Sequence, residues 1–124
     1  MHHIPFRCEH KIITIERGMA VSNDTIIAEL VAHVARVFQP QRVILFGSHA
    51  SGNASDDSDI DLLVMTDTDT DPREHALAIR KSVGCFPVAC DIIVTDPASF
   101  ARDRGVVNHI VYFADRYGRV VYER

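Results

Sequence analysis

Two aspartates and a glycine–serine pair carry the chemistry of this sequence. Asp59 and Asp61 stand two residues apart at the mouth of an apolar run, Leu62 to Met65. Gly47 and Ser48 close an earlier apolar run, Val43 to Phe46. Side chains alternate faces along a strand, so Asp59 and Asp61 share one face while Ile60, Leu62 and Val64 take the other. Two adjacent carboxylates repel unless a cation lies between them. Hard oxygen donors of this kind suit magnesium or manganese, which is held by one or two carboxylates together with substrate phosphates. Gly47 lets the backbone turn sharply and approach a phosphate closely. If Ser48 to Gly52 forms a helical turn, its free N–H groups and the Ser48 hydroxyl become donors to an anion. The pattern implies a cleft for a nucleoside triphosphate and its metal.

Either half alone is weak, because Asp-x-Asp often marks a solvated turn and Gly-Ser is common. The combination gains force because the aspartates lead into a buried-looking strand, where unpaired carboxylates are costly. Neither phosphate motif of other nucleotide-binding folds fits, since no Gly-Lys-Ser/Thr follows the first strand and no Gly-x-Gly-x-x-Gly occurs. A third acid, Asp91, sits in the apolar, β-branched run Val88 to Thr95. It reads either as a water-facing acid on an edge strand or as a further metal ligand. Asp56 and Asp57 read as solvated loop acids that add negative potential without a ligand role. His49 is the histidine closest to the motif, and reads equally as a phosphate contact or an exposed loop residue.

These residues need strands and helices to hold them. Ile26, Ile27, Leu30, Val31, Val34, Val37 and Phe38 recur at helical spacing, after a cap at Ser22 or Asn23 and before Gln39-Pro40. Strands are expected over Arg42 to Phe46, Asp59 to Met65 and Val88 to Thr95. Asp71-Pro72 and Asp96-Pro97 are cap-plus-proline starts for a helix to about Val83, ended near Gly84, and for another toward Arg104. Thr66 to Asp71 reads as a solvated loop. Apolar residues from Val106 to Tyr117 predict a helix stopped at Gly118, whose apolar content is core or interface. Val120 to Tyr122 suggests a last strand. Residues 1–20 read as an N-terminal arm or extra strand, and 21–124 as one domain.

Composition sets the host. The chain has 124 residues, 47% of them hydrophobic, and a net charge of −4. That is enough for one domain with a small core. No segment approaches a membrane span, and the charged N-terminus does not read as a signal peptide. Without a basic stripe, broad binding to long nucleic acid is not expected. Cys8, Cys85 and Cys90 lack zinc or disulfide spacing and read as free thiols, as in a reducing cytoplasm.

The run Phe46 to Gly52, followed by Ser58 to Val64, resembles the DNA polymerase β-like nucleotidyltransferases, and among them the minimal nucleotidyltransferases of bacteria and archaea. The resemblance covers about Val21 to the C-terminus. It implies an α/β fold, a small mixed sheet flanked by helices. It also implies that Asp59 and Asp61 bind two magnesium ions, while Asp91 completes one ion's shell and can accept the attacking hydroxyl's proton. Gly47 and Ser48 would hold the nucleotide, with ATP as co-substrate. Enzymes of this type commonly stand beside a small helical HEPN-class ribonuclease toxin, which they silence by moving AMP to a tyrosine. In a chain this short the acceptor site is expected to come from a partner chain, from a second copy in a homo-oligomer, or from the acceptor protein itself. Two rivals stay open: an adenylyltransferase for a small hydroxylated molecule such as an aminoglycoside, and an antitoxin that neutralises by contact alone.

Overall fold

The computed structural model describes residues 23–52, 54, 59–84, 86 and 88–124. The expected arm at residues 1–20, the loop acids Asp56 and Asp57, and Cys8 and Cys85 lie outside the described residues. Helix α1 spans Asn23–Phe38, strand β1 Arg42–Phe46, and the single turn α2 Ser48–Ser51. Strand β2 spans Ile60–Met65, helix α3 Pro72–Val83 and strand β3 Cys90–Thr95. Helices α4 (Pro97–Asp103) and α5 (Ile110–Tyr117) lead to strand β4, Arg119–Glu123.

Local signals explain most boundaries. The stripe on α1 buries Ile27, Leu30, Val31 and Val34. Gln39 then takes a left-handed conformation (φ 49°), and Pro40 prevents continuation. Asp71 caps α3 by accepting from Arg73 N at 3.0 Å, and Asp96 caps α4 by accepting from Ser99 N at 2.7 Å. Both helices have proline in the first turn, where a missing N–H costs nothing.

The four strands lie in the order β3-β2-β1-β4. β1 pairs antiparallel with both β2 and β4, while β2 and β3 run parallel. A parallel pair needs a crossover, and α3 supplies it. The sheet is therefore mixed and flanked by helices, as expected.

Helices cover both faces. Val43, Leu45, Ile60, Leu62, Val64 and Ile92 point to α1 and α3. Ile44, Phe46, Leu63 and Met65 point the other way, to Phe100 on α4 and Val111 and Ala114 on α5. Among the described residues, no helix is long and apolar enough to cross a membrane.

Three expectations need correction. The last helix begins at Ile110, not Val106, because Asn108 has φ 75° and the His109 ring accepts from Val111 N at 3.1 Å. β2 and β3 begin at Ile60 and Cys90, slightly later than the apolar pattern suggests. Asp67 is not merely solvated. It accepts from Arg124 Nη2 at 2.7 Å and from Gln41 Nε2 at 3.0 Å.

Candidate active site

The carboxylates stand at the entry of two neighbouring strands, beside the end of a third. In the antiparallel ladder, Phe46 at the end of β1 lies opposite Asp61. In the parallel ladder, Asp61 lies opposite Asp91. Neighbouring strands lie about 4.8 Å apart, and paired residues project to the same face. Asp61 and Asp91 therefore stand side by side at the entry of their strands. Both share the face of Leu63 and Ile93, the side of the sheet that α4 and α5 cover. The helices bury Leu63 and Met65 but leave this entry open, so Asp61 is half-buried and Asp91 exposed. Asp59 is exposed immediately before β2.

Gly47 ties the turn to the aspartates. It adopts φ 75° and ψ −154°, a conformation that L side chains resist. A Cβ built there would also collide with Asp61 Oδ2. Backbone geometry and space thus both demand glycine. The Asp61 carboxylate lies against the backbone of the Gly47 turn. Ser48 opens the single turn α2, in which Ala50 N and Ser51 N bond to Gly47 O at 3.1 and 3.2 Å. As at any helix start, the first amides of the turn lack a carbonyl one turn earlier within the helix to bond to.

The electrostatics follow from this crowding. Burial, then the charges of Asp91 and Asp59, push the Asp61 carboxyl above the usual carboxylate range, with His49 acting in the opposite direction. Cys90, beside Asp91, is half-buried; burial and the charges of Asp59 and Asp61 push its thiol up to about 11. It is therefore a neutral thiol and a poor nucleophile.

No ion pair engages Asp59, Asp61 or Asp91 among the described residues. Nor do any three His, Cys, Asp or Glu side chains there stand gathered closely enough to hold a metal ion. The backbone aligns the aspartates, but like charges do not converge of their own accord. Their donor chemistry, carboxylate oxygens with Asp61 against the Gly47 turn, fits magnesium. Of the six residues singled out from sequence, Gly47, Ser48, Asp59, Asp61 and Asp91 lie around this opening, and the His49 charge reaches Asp61. Sequence reasoning missed the position of Cys90 beside the carboxylates. Its place directly before Asp91 was the available signal.

The nucleotidyltransferase domain family matches residues 27–113. The chain belongs to this family. The match includes Gly47, Ser48 and all three aspartates. Among solved structures, one similar fold is a putative nucleotidyltransferase from Sulfolobus solfataricus, with a TM-score of 0.54 and 22% identity. The alignment covers 81% of this chain and 79% of that one. A toxin-antitoxin structure with AMP-PNP aligns less well, with a TM-score of 0.42 and 23% identity over 83% of this chain and 75% of that one. The Sulfolobus structure supports the fold alone. No curated protein matches the chain.

Proposed function

We propose that this nucleotidyltransferase moves AMP from ATP to a hydroxyl group of a partner protein, in a magnesium-dependent reaction. The observation that carries the chemistry is the register of Asp61 with Asp91, opening onto the Gly47 turn. Asp59 and Asp61 would hold the magnesium ions, with Asp91 as a further carboxylate ligand for one of them. Bound there, the metals would stabilise charge on the attacking and leaving oxygens. Gly47 admits the triphosphate close to the backbone, and the Ser48 amide and hydroxyl donate to its oxygens.

The transfer balances as follows. The acceptor oxygen forms a bond to the α-phosphorus, and the α–β bridging P–O bond breaks. Pyrophosphate leaves with that electron pair. The acceptor's proton passes to the Asp91 carboxylate, which is exposed to the opening and so within reach of an incoming hydroxyl.

The acceptor class comes from the resemblance to minimal nucleotidyltransferases. On that reading the chain is an antitoxin that modifies a tyrosine of a small helical HEPN-type toxin in the cytoplasm. The test combines purified chain, magnesium, ATP labelled at the α-phosphate, and the protein encoded beside this one. Label on a tyrosine of that protein, absent with Asp61→Asn, is the expected result. No label, with fold and nucleotide binding intact, overturns the protein acceptor; label on an aminoglycoside instead would move the reading to small-molecule modification. Neutralisation by the Asp59→Asn, Asp61→Asn double variant at equal expression would mean that contact alone suffices.

A further inference from the structure

Strand β3 ends the sheet, so one of its edges pairs with no strand among the described residues. Ile60 N donates to Ala89 O at 2.9 Å, and Thr66 N donates to Thr95 O at 2.8 Å. Backbone groups alternate sides along a strand, so residues 89, 91, 93 and 95 turn theirs toward β2. Cys90, Ile92 and Val94 therefore turn their N–H and C=O to the open edge. Of these groups at Ile92 and Val94, Ile92 O alone has a partner among the described residues. It accepts from Arg80 Nη2 at 3.0 Å. An edge with free donors and acceptors is a template for one more strand.

Helix α3 makes a groove along that edge. As the crossover between two parallel strands it runs opposite to them, which puts Arg80 beside Ile92 and Arg73 toward the Val94 end. With Ala76 between them, these side chains and β3 line a groove of about 320 Å³. Arg73 and Arg80 are both exposed. Neither makes an ion pair among the described residues. Asp71 is engaged as the cap of α3, and Glu74 lies about 100° around the helix from Arg73. The groove is thus basic, in a chain of net charge −4.

The same edge leads to the carboxylates. Ile92 and Val94 face α1 and α3, whereas Asp91 shares the opposite face with Ile93. A strand laid on this edge would send alternate side chains to the two faces. Its residues opposite Ile92 and Val94 would meet the arginines of α3. Its residue opposite Asp91 would stand beside the carboxylates. Charge selects the occupant. Two copies joined edge to edge, about a two-fold axis normal to the sheet, would set Arg73 and Arg80 against their like. An acidic segment would satisfy both.

We propose that the open edge of β3 binds an extended, acidic segment of the acceptor protein as an added strand. That segment places its hydroxyl residue opposite Asp91 and carboxylates at the alternate positions, where they pair with Arg80 and Arg73. Arg80 gives up Ile92 O to the incoming backbone as it takes a carboxylate. The inference rests on the transfer reading above and adds to it the docking surface and the acceptor's conformation and charge pattern.

The probe is a fluorescent synthetic peptide with a central tyrosine, threonines two residues to either side, and glutamates one and three residues to either side. It is titrated against the full chain by anisotropy, without ATP or metal. A twin carries lysines for the glutamates. Two further peptides carry N-methyl groups at alternate backbone amides, one residue out of step with each other. The glutamate peptide is expected to bind about tenfold tighter than the lysine twin, with the preference shrinking as salt rises. One methylated peptide should lose affinity about tenfold or more and the other keep it, because a strand meets an edge with every second residue. Arg73→Ser with Arg80→Ser should abolish the preference for glutamate, and Arg73→Glu with Arg80→Glu should reverse it. Three outcomes overturn the proposal: equal affinity for the glutamate and lysine peptides or none for either; equal affinity for the two methylated peptides; or a glutamate preference that survives the loss of both arginines. Binding needs neither ATP nor metal. A bound peptide that takes no label from ATP and magnesium would therefore count against the transfer reading and leave the docking edge standing.

Discussion

Strand β2 is bracketed by aspartates at both ends, and the fold treats the two ends in opposite ways. At its exit, Asp67 is clamped by Arg124 and Gln41, and nearby Glu123 is paired with Arg42 at 2.7 Å. Those partners hold the Asp67 carboxyl down at about 2. At its entry, Asp59, Asp61 and Asp91 have no cationic partner in an ion pair among the described residues, and Asp61 is pushed up. The exit shows how carboxylates look when the chain uses them to staple β2 to the C-terminus. The entry concentrates negative charge that no ion pair among the described residues neutralises, the His49 charge offsetting only part of the push on Asp61. Such a site stores an unfavourable interaction that a divalent cation would reverse.

The strongest way to break this contrast is to neutralise one aspartate at each end. Asp61→Asn should lower AMP transfer by about a hundredfold or more, the scale on which single electrostatic stabilisers act. Its Tm should stay level or rise, because the substitution relieves repulsion. Asp67→Asn should do the reverse, lowering Tm and sparing transfer. Paired melting curves and initial rates decide it; a large Tm loss in Asp61→Asn would mean that the entry aspartates are structural after all.

Gly47→Ala attacks the entry from the backbone side. The positive-φ extended conformation, adopted almost only by glycine, should alone cost an alanine about 1–3 kcal/mol, and the new methyl must displace Asp61 Oδ2. Transfer should therefore fall more than stability does. Tm and kcat measured on the same preparation check this, and a variant with wild-type rate would detach Gly47 from the site.

How much of this contrast was legible in the sequence differs between the two ends. The entry is local: Gly47-Ser48 and Asp59-x-Asp61 announce themselves through spacing and the apolar runs beside them. Asp91 is visible as an acid in a strand, but its position opposite Asp61 depends on a parallel pairing across α3, which no local pattern encodes. The exit was missed because the partners of Asp67 are distant in the chain, Gln41 before it and Arg124 at the terminus. The helices and strands were readable from periodicity and from the Asp-Pro caps. The start of α5 was not, because Val106 and Val107 continue an apolar rhythm that the backbone breaks at Asn108. The rhythm itself held a clue. Positions 110, 113 and 117 and positions 111 and 114 make two stripes on one short helix, more than one buried face can absorb.

Magnesium offers a gentler probe of the same contrast. If the entry is a cation site, magnesium at a hundredfold excess over its Kd should stabilise the fold by about 2.7 kcal/mol. EDTA should remove the gain, and Asp61→Asn should abolish most of it. Asp67→Asn should keep the gain in full from a lower starting Tm. An equal gain in wild type and Asp61→Asn would place the ion elsewhere.

The smallest effect belongs to the exit and is read through pH. The ordinary value for the Asp67 carboxyl is 3.8, and the folded chain holds it at about 2. A depressed folded value means that the ionised form favours folding. That contribution is complete above about pH 4 and is lost as pH falls toward 2. Asp67 is solvent-exposed, so water screens its pairing with Arg124 and the contribution is small. Melting curves from pH 6 to pH 2 should show wild type losing its advantage over Asp67→Asn between about pH 4 and pH 2, with the two converging at the acid end. Asp61 should move oppositely in metal-free protein: its folded value is raised, so its ionisation subtracts stability as pH climbs above 3.8. The Tm of Asp61→Asn should then meet or exceed that of wild type at neutral pH and fall back toward it, or below, in acid. Curves of the same sign for both variants would show that the two ends of β2 are not opposites.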